Sequence, residues 1–113
     1  MLYAILCYNV EADIGKWTQE QDDAVMERHQ QVMGGLAAQG KLGPVARLKP
    51  TTTASSVRDK AVFDGPFAET KEQLGGYYLL KARDLNEAIQ LAARIPGARL
   101  GSVEVRPVME FNT

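Results

Sequence analysis

The sequence predicts an α+β domain of ferredoxin-like β-α-β-β-α-β topology with an inserted β-hairpin and an antiparallel sheet. Three observations lead there. Apolar runs and amphipathic stretches follow one another in the order strand, helix, strand, hairpin, strand, helix, strand. The runs Leu2 to Asn9 and Tyr77 to Leu80 are apolar on both faces, as central strands are when both sides are covered. The stretches Lys41 to Leu48 and Ser102 to Met109 carry Pro44 and Pro107. Proline cannot donate to a ladder, which assigns both stretches to sheet edges. An antiparallel sheet of this topology has its first and third strands in the middle, as these patterns require.

In the first strand Leu2, Ala4, Leu6 and Tyr8 alternate with Tyr3, Ile5 and Cys7, and Asp13-Ile14-Gly15 breaks the run. From about Thr18 to Gln39 the period becomes helical, with Val25, His29, Val32 and Leu36 on one stripe widened by Met26, Met33 and Ala37. Thr18 and Gln21 have the spacing of a capping box. Gly34-Gly35 costs roughly 1 kcal/mol per glycine and predicts a bend or an early end. Ser55 to Arg58 and Ala61 to Phe63 flank Asp59-Lys60, which predicts a protruding hairpin closed by Asp64-Gly65-Pro66. Hairpin and loop together span about 51–74. Gly75-Gly76 signals special backbone geometry, either a positive φ or a close approach, before the second central strand. Asp84 then caps a helix with Glu87 as its third-residue partner. Leu85, Ala88, Ile89 and Ala92 form that helix's apolar face, and Pro96-Gly97 ends it. In the last strand Val103 and Val105 alternate with Glu104 and Arg106.

A chain of 113 residues is expected to form a single domain, 1–113. Thirteen basic and fourteen acidic residues give a net charge of −1, against direct nucleic-acid binding or an anionic membrane surface. One cysteine cannot form an internal disulfide, which fits a reducing cytoplasm. No apolar run approaches the ~20 residues of a membrane span. Two helices cover only one face of a four-stranded sheet, yet the central strands are apolar on both. The uncovered face predicts a homodimer, packed sheet to sheet through that open face.

The run Asp64-Gly65-Pro66-Phe67-Ala68-Glu69-Thr70-Lys71-Glu72-Gln73-Leu74-Gly75-Gly76-Tyr77-Tyr78 resembles the signature of the DGPF branch of the YCII-related (YciI-like) domain family. His29 in the first helix, Asp84-Leu85 with Glu87-Ala88 at the second, and Gly101 to Pro107 near the end extend the resemblance to the whole chain. It implies a dimeric α+β barrel, a family of poorly known function, and a His-Asp pair proposed for the wider superfamily. One such relative is a dehydrochlorinase of a chlorinated hydroxyquinol. The DGPF branch is often encoded beside, or fused to, extracytoplasmic-function sigma factors.

His29 sits on a sheet-facing apolar stripe. It is either a core histidine satisfied by one hydrogen bond or a general acid-base at the floor of a cavity; a pKa near ~6.5 suits the second role. The resemblance favours the second. Asp64 read alone is a turn aspartate, and the resemblance makes it the partner that orients the His29 imidazole. Glu69, Lys71 and Glu72 form either a solvated one-turn helix or a segment with one carboxylate facing the cavity; Glu69 is the candidate for the second, as an acid-base or substrate-positioning group. Arg106 either faces solvent or grips an anionic substrate in the dimer cleft. Tyr8 and Tyr77 are candidate pocket hydroxyls, and Cys7 reads as an inert buried thiol. One histidine and one cysteine argue against a metal site, and no cofactor is expected. The sequence thus points to a small cofactor-independent enzyme of lyase or isomerase type. Its reaction would be His-dependent proton transfer or elimination on an unknown small molecule, an unsaturated hydroxy or keto compound. The alternative is a non-enzymatic ligand-binding or interaction module associated with an extracytoplasmic-function sigma factor.

Overall fold

A computed structural model describes residues 1–110. The strands are β1 (Leu2–Asn9), β2 (Leu42–Arg47), β3 (Ser55–Arg58), β4 (Ala61–Asp64), β5 (Gln73–Lys81) and β6 (Ser102–Pro107). The helices are α1 (Glu11–Ile14), α2 (Gln19–Ala38), α3 (Leu85–Ala92) and α4 (Gly97–Leu100). One sheet is ordered β2-β5-β1-β6 with every neighbouring pair antiparallel, and β3-β4 forms a separate two-stranded ribbon. The two-sided runs are therefore central, the proline-bearing strands are edges, and the α+β fold is the ferredoxin-like one expected.

The core fills the helix-facing side of the sheet. Tyr3, Ile5 and Cys7 of β1 and Tyr78 and Leu80 of β5 are buried there, with Val103 and Val105 of β6 packed alongside. Leu36 of α2, Ala88, Leu91 and Ala92 of α3, and Ile95 close the core from above. On the opposite side Leu2, Ala4, Leu6, Tyr77 and Leu79 are only half-buried. The molecule is a slab of 41 × 40 × 18 Å with a radius of gyration of 15.3 Å, against the ~13 Å of a compact chain of similar length. An uncovered sheet face and a projecting ribbon account for the excess.

Local signals set the helix starts. Thr18 Oγ1 accepts from the Gln21 backbone N–H while Gln21 Oε1 accepts from the Thr18 N–H, the full capping box. Thr18→Ala is expected to cost about 1 kcal/mol, read as a lower urea midpoint at unchanged slope. At α3, Asp84 accepts from the Glu87 N–H, but Glu87 reaches back to the Arg83 N–H, one residue earlier than a capping box.

Three details differ from the sequence reading. Helix α2 runs through Gly34 and Gly35 to Ala38, because Val32, Met33 and Leu36 pack against the core on both sides of the pair. On α3, Leu85 and Ile89 are 48% and 49% exposed, and the buried stripe is Ala88, Leu91 and Ala92. The small Ala88 and Ala92 let the helix approach the sheet, and Leu91 and Ile95 carry the contact onward. At Gly75-Gly76 close approach decides rather than a positive φ. A Cβ on Gly76 would lie 2.7 Å from the Ala46 carbonyl oxygen. Gly75 is also the extra residue where the β1-β5 register slips beside Cys7, a β-bulge at the end of the sheet that carries the cavity.

Candidate functional site

Helix α2 meets the core at its C-terminal end, where Leu36 is its one buried residue. Toward its N-terminus the same stripe, Met33, His29, Met26 and Val25, lines a cavity of about 700 Å³. Cys7, Val45, Gly76 and Tyr78 lie on the sheet side, and Ile14, Trp17, Leu48 and Pro50 border the rim. The walls are predominantly apolar, so the few polar groups decide what the site can do.

The central pair is His29 and Tyr78. His29 Nδ1 is hydrogen-bonded to the Tyr78 hydroxyl, and the rings stack at 5.7 Å with 29° between planes. Burial, then the positive charge of Arg47, holds the imidazole below its ordinary pKa of 6.5. Burial, then the neighbouring Cys7, pushes the Tyr78 phenol up to about 12. Both groups are therefore neutral at pH 7, and either the phenol donates to Nδ1 or Nδ1–H donates to the phenol oxygen. Burial also raises the Cys7 thiol, which keeps it protonated and unreactive.

Two polar ties fasten the rim. Arg47 at the end of β2 makes a bidentate pair with Asp22 in the first turn of α2, at 2.8 and 3.2 Å. That hydrogen bonding is the main reason the Asp22 carboxyl lies below its usual range. Glu11 of α1 accepts from the Thr51 N–H at 2.8 Å and the Thr51 hydroxyl at 2.6 Å, anchoring the chain as it leaves β2.

Of the residues singled out in the sequence, His29 lies in the cavity, and Tyr8 and Tyr77 border it. Tyr77 pairs with Leu6 on the open sheet face, so the hydroxyl beside His29 comes from Tyr78, one residue along. Asp64 ends β4 on the separate ribbon and Glu69 lies beyond it; neither lines the cavity. Arg106 sits on the open sheet face, paired with Glu104. His29 is thus brought together with Tyr78 and Arg47, not with Asp64, Glu69 or Arg106. Arg47 left one legible trace: it stands two residues after Val45 and so shares its inward parity. Trp17 left none. Among the described residues no three His, Cys, Asp or Glu side chains gather as a metal ion would need, and no helix is long and apolar enough to cross a membrane.

A single histidine gives a single imidazole resonance, which makes the electrostatics testable. Its NMR titration midpoint is expected below 6.5 in the native protein and higher in Arg47→Gln, where the repelling charge is gone. A native midpoint at or above that of a free imidazole contradicts the burial seen here.

A model of the YCII-related domain family matches residues 1–112. An uncharacterized protein of Rhizobium meliloti (strain 1021) is 49% identical over 114 residues, covering 96% of this chain and 92% of that protein.

Proposed function

The chain belongs to the YCII-related domain family, and we propose that it is a small cytoplasmic enzyme needing no cofactor, with His29 as the proton-transfer residue. The reaction is proton transfer or elimination on an unsaturated hydroxy or keto compound held in the cavity under α2. One observation carries this reading: the lone histidine is hydrogen-bonded to a buried tyrosine and faces an open, apolar-walled space of ligand size. With the Tyr78 O–H donating to Nδ1, Nε2–H is the outward donor. With the tautomer reversed, Nε2 is the base. In that state Nε2 takes a proton from an acidic O–H or C–H of the substrate, and the Tyr78 oxygen accepts from Nδ1–H of the resulting imidazolium. The electron pair left on the substrate forms an enolate, or a new π bond as a leaving group departs with its own pair. Proton and leaving anion then go to water, and no oxidant is needed. This role uses Tyr78, where the family resemblance implies Asp64.

Incubation with enolisable hydroxyquinones and halogenated hydroquinols in D2O tests it. Solvent deuterium should enter the acidic carbon, or halide should be released, with native protein and not with His29→Asn. If native protein does neither with any of these compounds, the enzyme reading falls. What then stands is a ligand-binding or interaction module beside an extracytoplasmic-function sigma factor. That alternative draws support from the ribbon, where Val57, Val62 and Phe63 are 69%, 68% and 53% exposed.

A homodimer through the open sheet face is the second part of the proposal. The half-buried Leu2, Leu6, Tyr77 and Leu79 and the thin, extended protomer support it.

A further inference from the structure

The cavity is not electrically neutral at its mouth. Arg47 and Lys49 border it with Glu11 as the acidic group, while Asp22, the partner of Arg47, lies outside the lining. Both carboxylate oxygens of Glu11 are engaged by Thr51. The Asp22 pair therefore turns its cationic end toward the cavity and its anionic end away from it. A bidentate guanidinium-carboxylate pair uses two of the five N–H donors of arginine, leaving three for another acceptor. Asp22 and His29 share one stripe of α2, seven residues apart, so Arg47 and the imidazole face the same space. The depression of the His29 pKa by Arg47 reports the same proximity.

We propose that Arg47, braced by Asp22, is the specificity-determining residue of this cavity and selects small apolar-bodied molecules bearing one anionic oxyacid group. The apolar body sits against Val25, Met26 and Met33, and the anion takes the remaining guanidinium donors. Replacing a water-exposed ion by a charge-assisted pair at the mouth of an apolar space makes the selection steep. This inference rests on the cavity being a ligand site, and is independent of whether His29 moves a proton.

Two fluorescent probes of similar aromatic body and different charge test it: anionic 1-anilinonaphthalene-8-sulfonate and neutral N-phenyl-1-naphthylamine. The native protein should bind the sulfonate about tenfold or more tighter than the neutral amine, the range of one charge-assisted hydrogen bond. The bound sulfonate should also shift the lone His29 imidazole resonance. Arg47→Gln should remove most of the preference and leave the neutral probe's affinity unchanged, while Arg47→Lys should retain part of it. Equal affinity for the two probes in the native protein, or an undiminished preference in Arg47→Gln, overturns the proposal. So does sulfonate binding that leaves the imidazole unmoved, since the probe is then elsewhere. Failure of both probes to bind the native protein refutes the ligand-site reading, and the selectivity with it.

Discussion

Substituting His29 by Asn should lower the rate of the proton-transfer step by about 100- to 10,000-fold, the usual worth of a positioned acid-base group. Tyr78→Phe should cost about tenfold, the worth of one hydrogen bond to the imidazole. Circular dichroism of both variants checks that the fold survives. The pH profile carries a second signature. The base form is the neutral imidazole, whose pKa lies below 6.5 because burial and Arg47 disfavour the cation. The acidic limb of the rate profile should therefore fall below pH 6.5 and move upward in Arg47→Gln. Stability follows the same group. The unfolded chain binds a proton at His29 more readily than the folded one, so stability is full above 6.5 and declines as pH drops through the window beneath it. His29→Asn should lose that particular decline. A variant that turns over at the native rate with its fold intact would remove His29 from the chemistry.

Replacing Leu79 or Leu6 by Glu should turn a dimer into a monomer. Ala4 stands opposite Leu79 and Tyr77 opposite Leu6 in the β1-β5 register, which puts both leucines on the open face of the central strands. In a two-fold interface through this face the substitution would bury a carboxylate from each protomer, and an unpaired buried charge costs several kcal/mol. Sedimentation should give the native protein near twice 12.4 kDa and either variant near the single-chain mass. Native protein that stays monomeric at micromolar concentration, or a Leu79→Glu variant that still dimerises, defeats the proposal. Arg106 and Glu104 lie on this same face, so a dimer would bring their ion pair to the interface.

Much of the architecture could be read along the chain because its causes act over a few residues. Alternation in β1, the missing N–H of Pro44 and Pro107, and the reciprocal bonds of Thr18 and Gln21 are each complete within a short stretch of sequence. The Ser55–Asp64 ribbon is similar, since its turn at Asp59-Lys60 is a local event with Asp59 at a φ of 56°. The site was less legible. His29 could be placed on a sheet-facing stripe, and the family resemblance is matched by the comparison. The resemblance paired it with Asp64, and the pocket hydroxyls named were Tyr8 and Tyr77; Tyr78 was missed because consecutive strand residues face opposite ways and the choice depends on register. The same holds for α3, where pattern alone put Leu85 and Ile89 inward. Packing against the sheet turned the helix toward Ala88 and Leu91 instead.

By itself the sequence determined the element order, the edges, the central strands and one histidine turned inward. These follow from hydrogen-bonding capacity and periodicity, which are properties of neighbours. Only the tertiary structure decided that a cavity lies between α2 and the sheet, that Tyr78 meets His29, and that Arg47 meets Asp22 from 25 residues away. It also placed Asp64 on a separate ribbon and Glu69 in the loop that follows it. Those relations join residues distant in the chain, and their distances are set by strand register and helix tilt. Both are fixed only when the whole core packs at once.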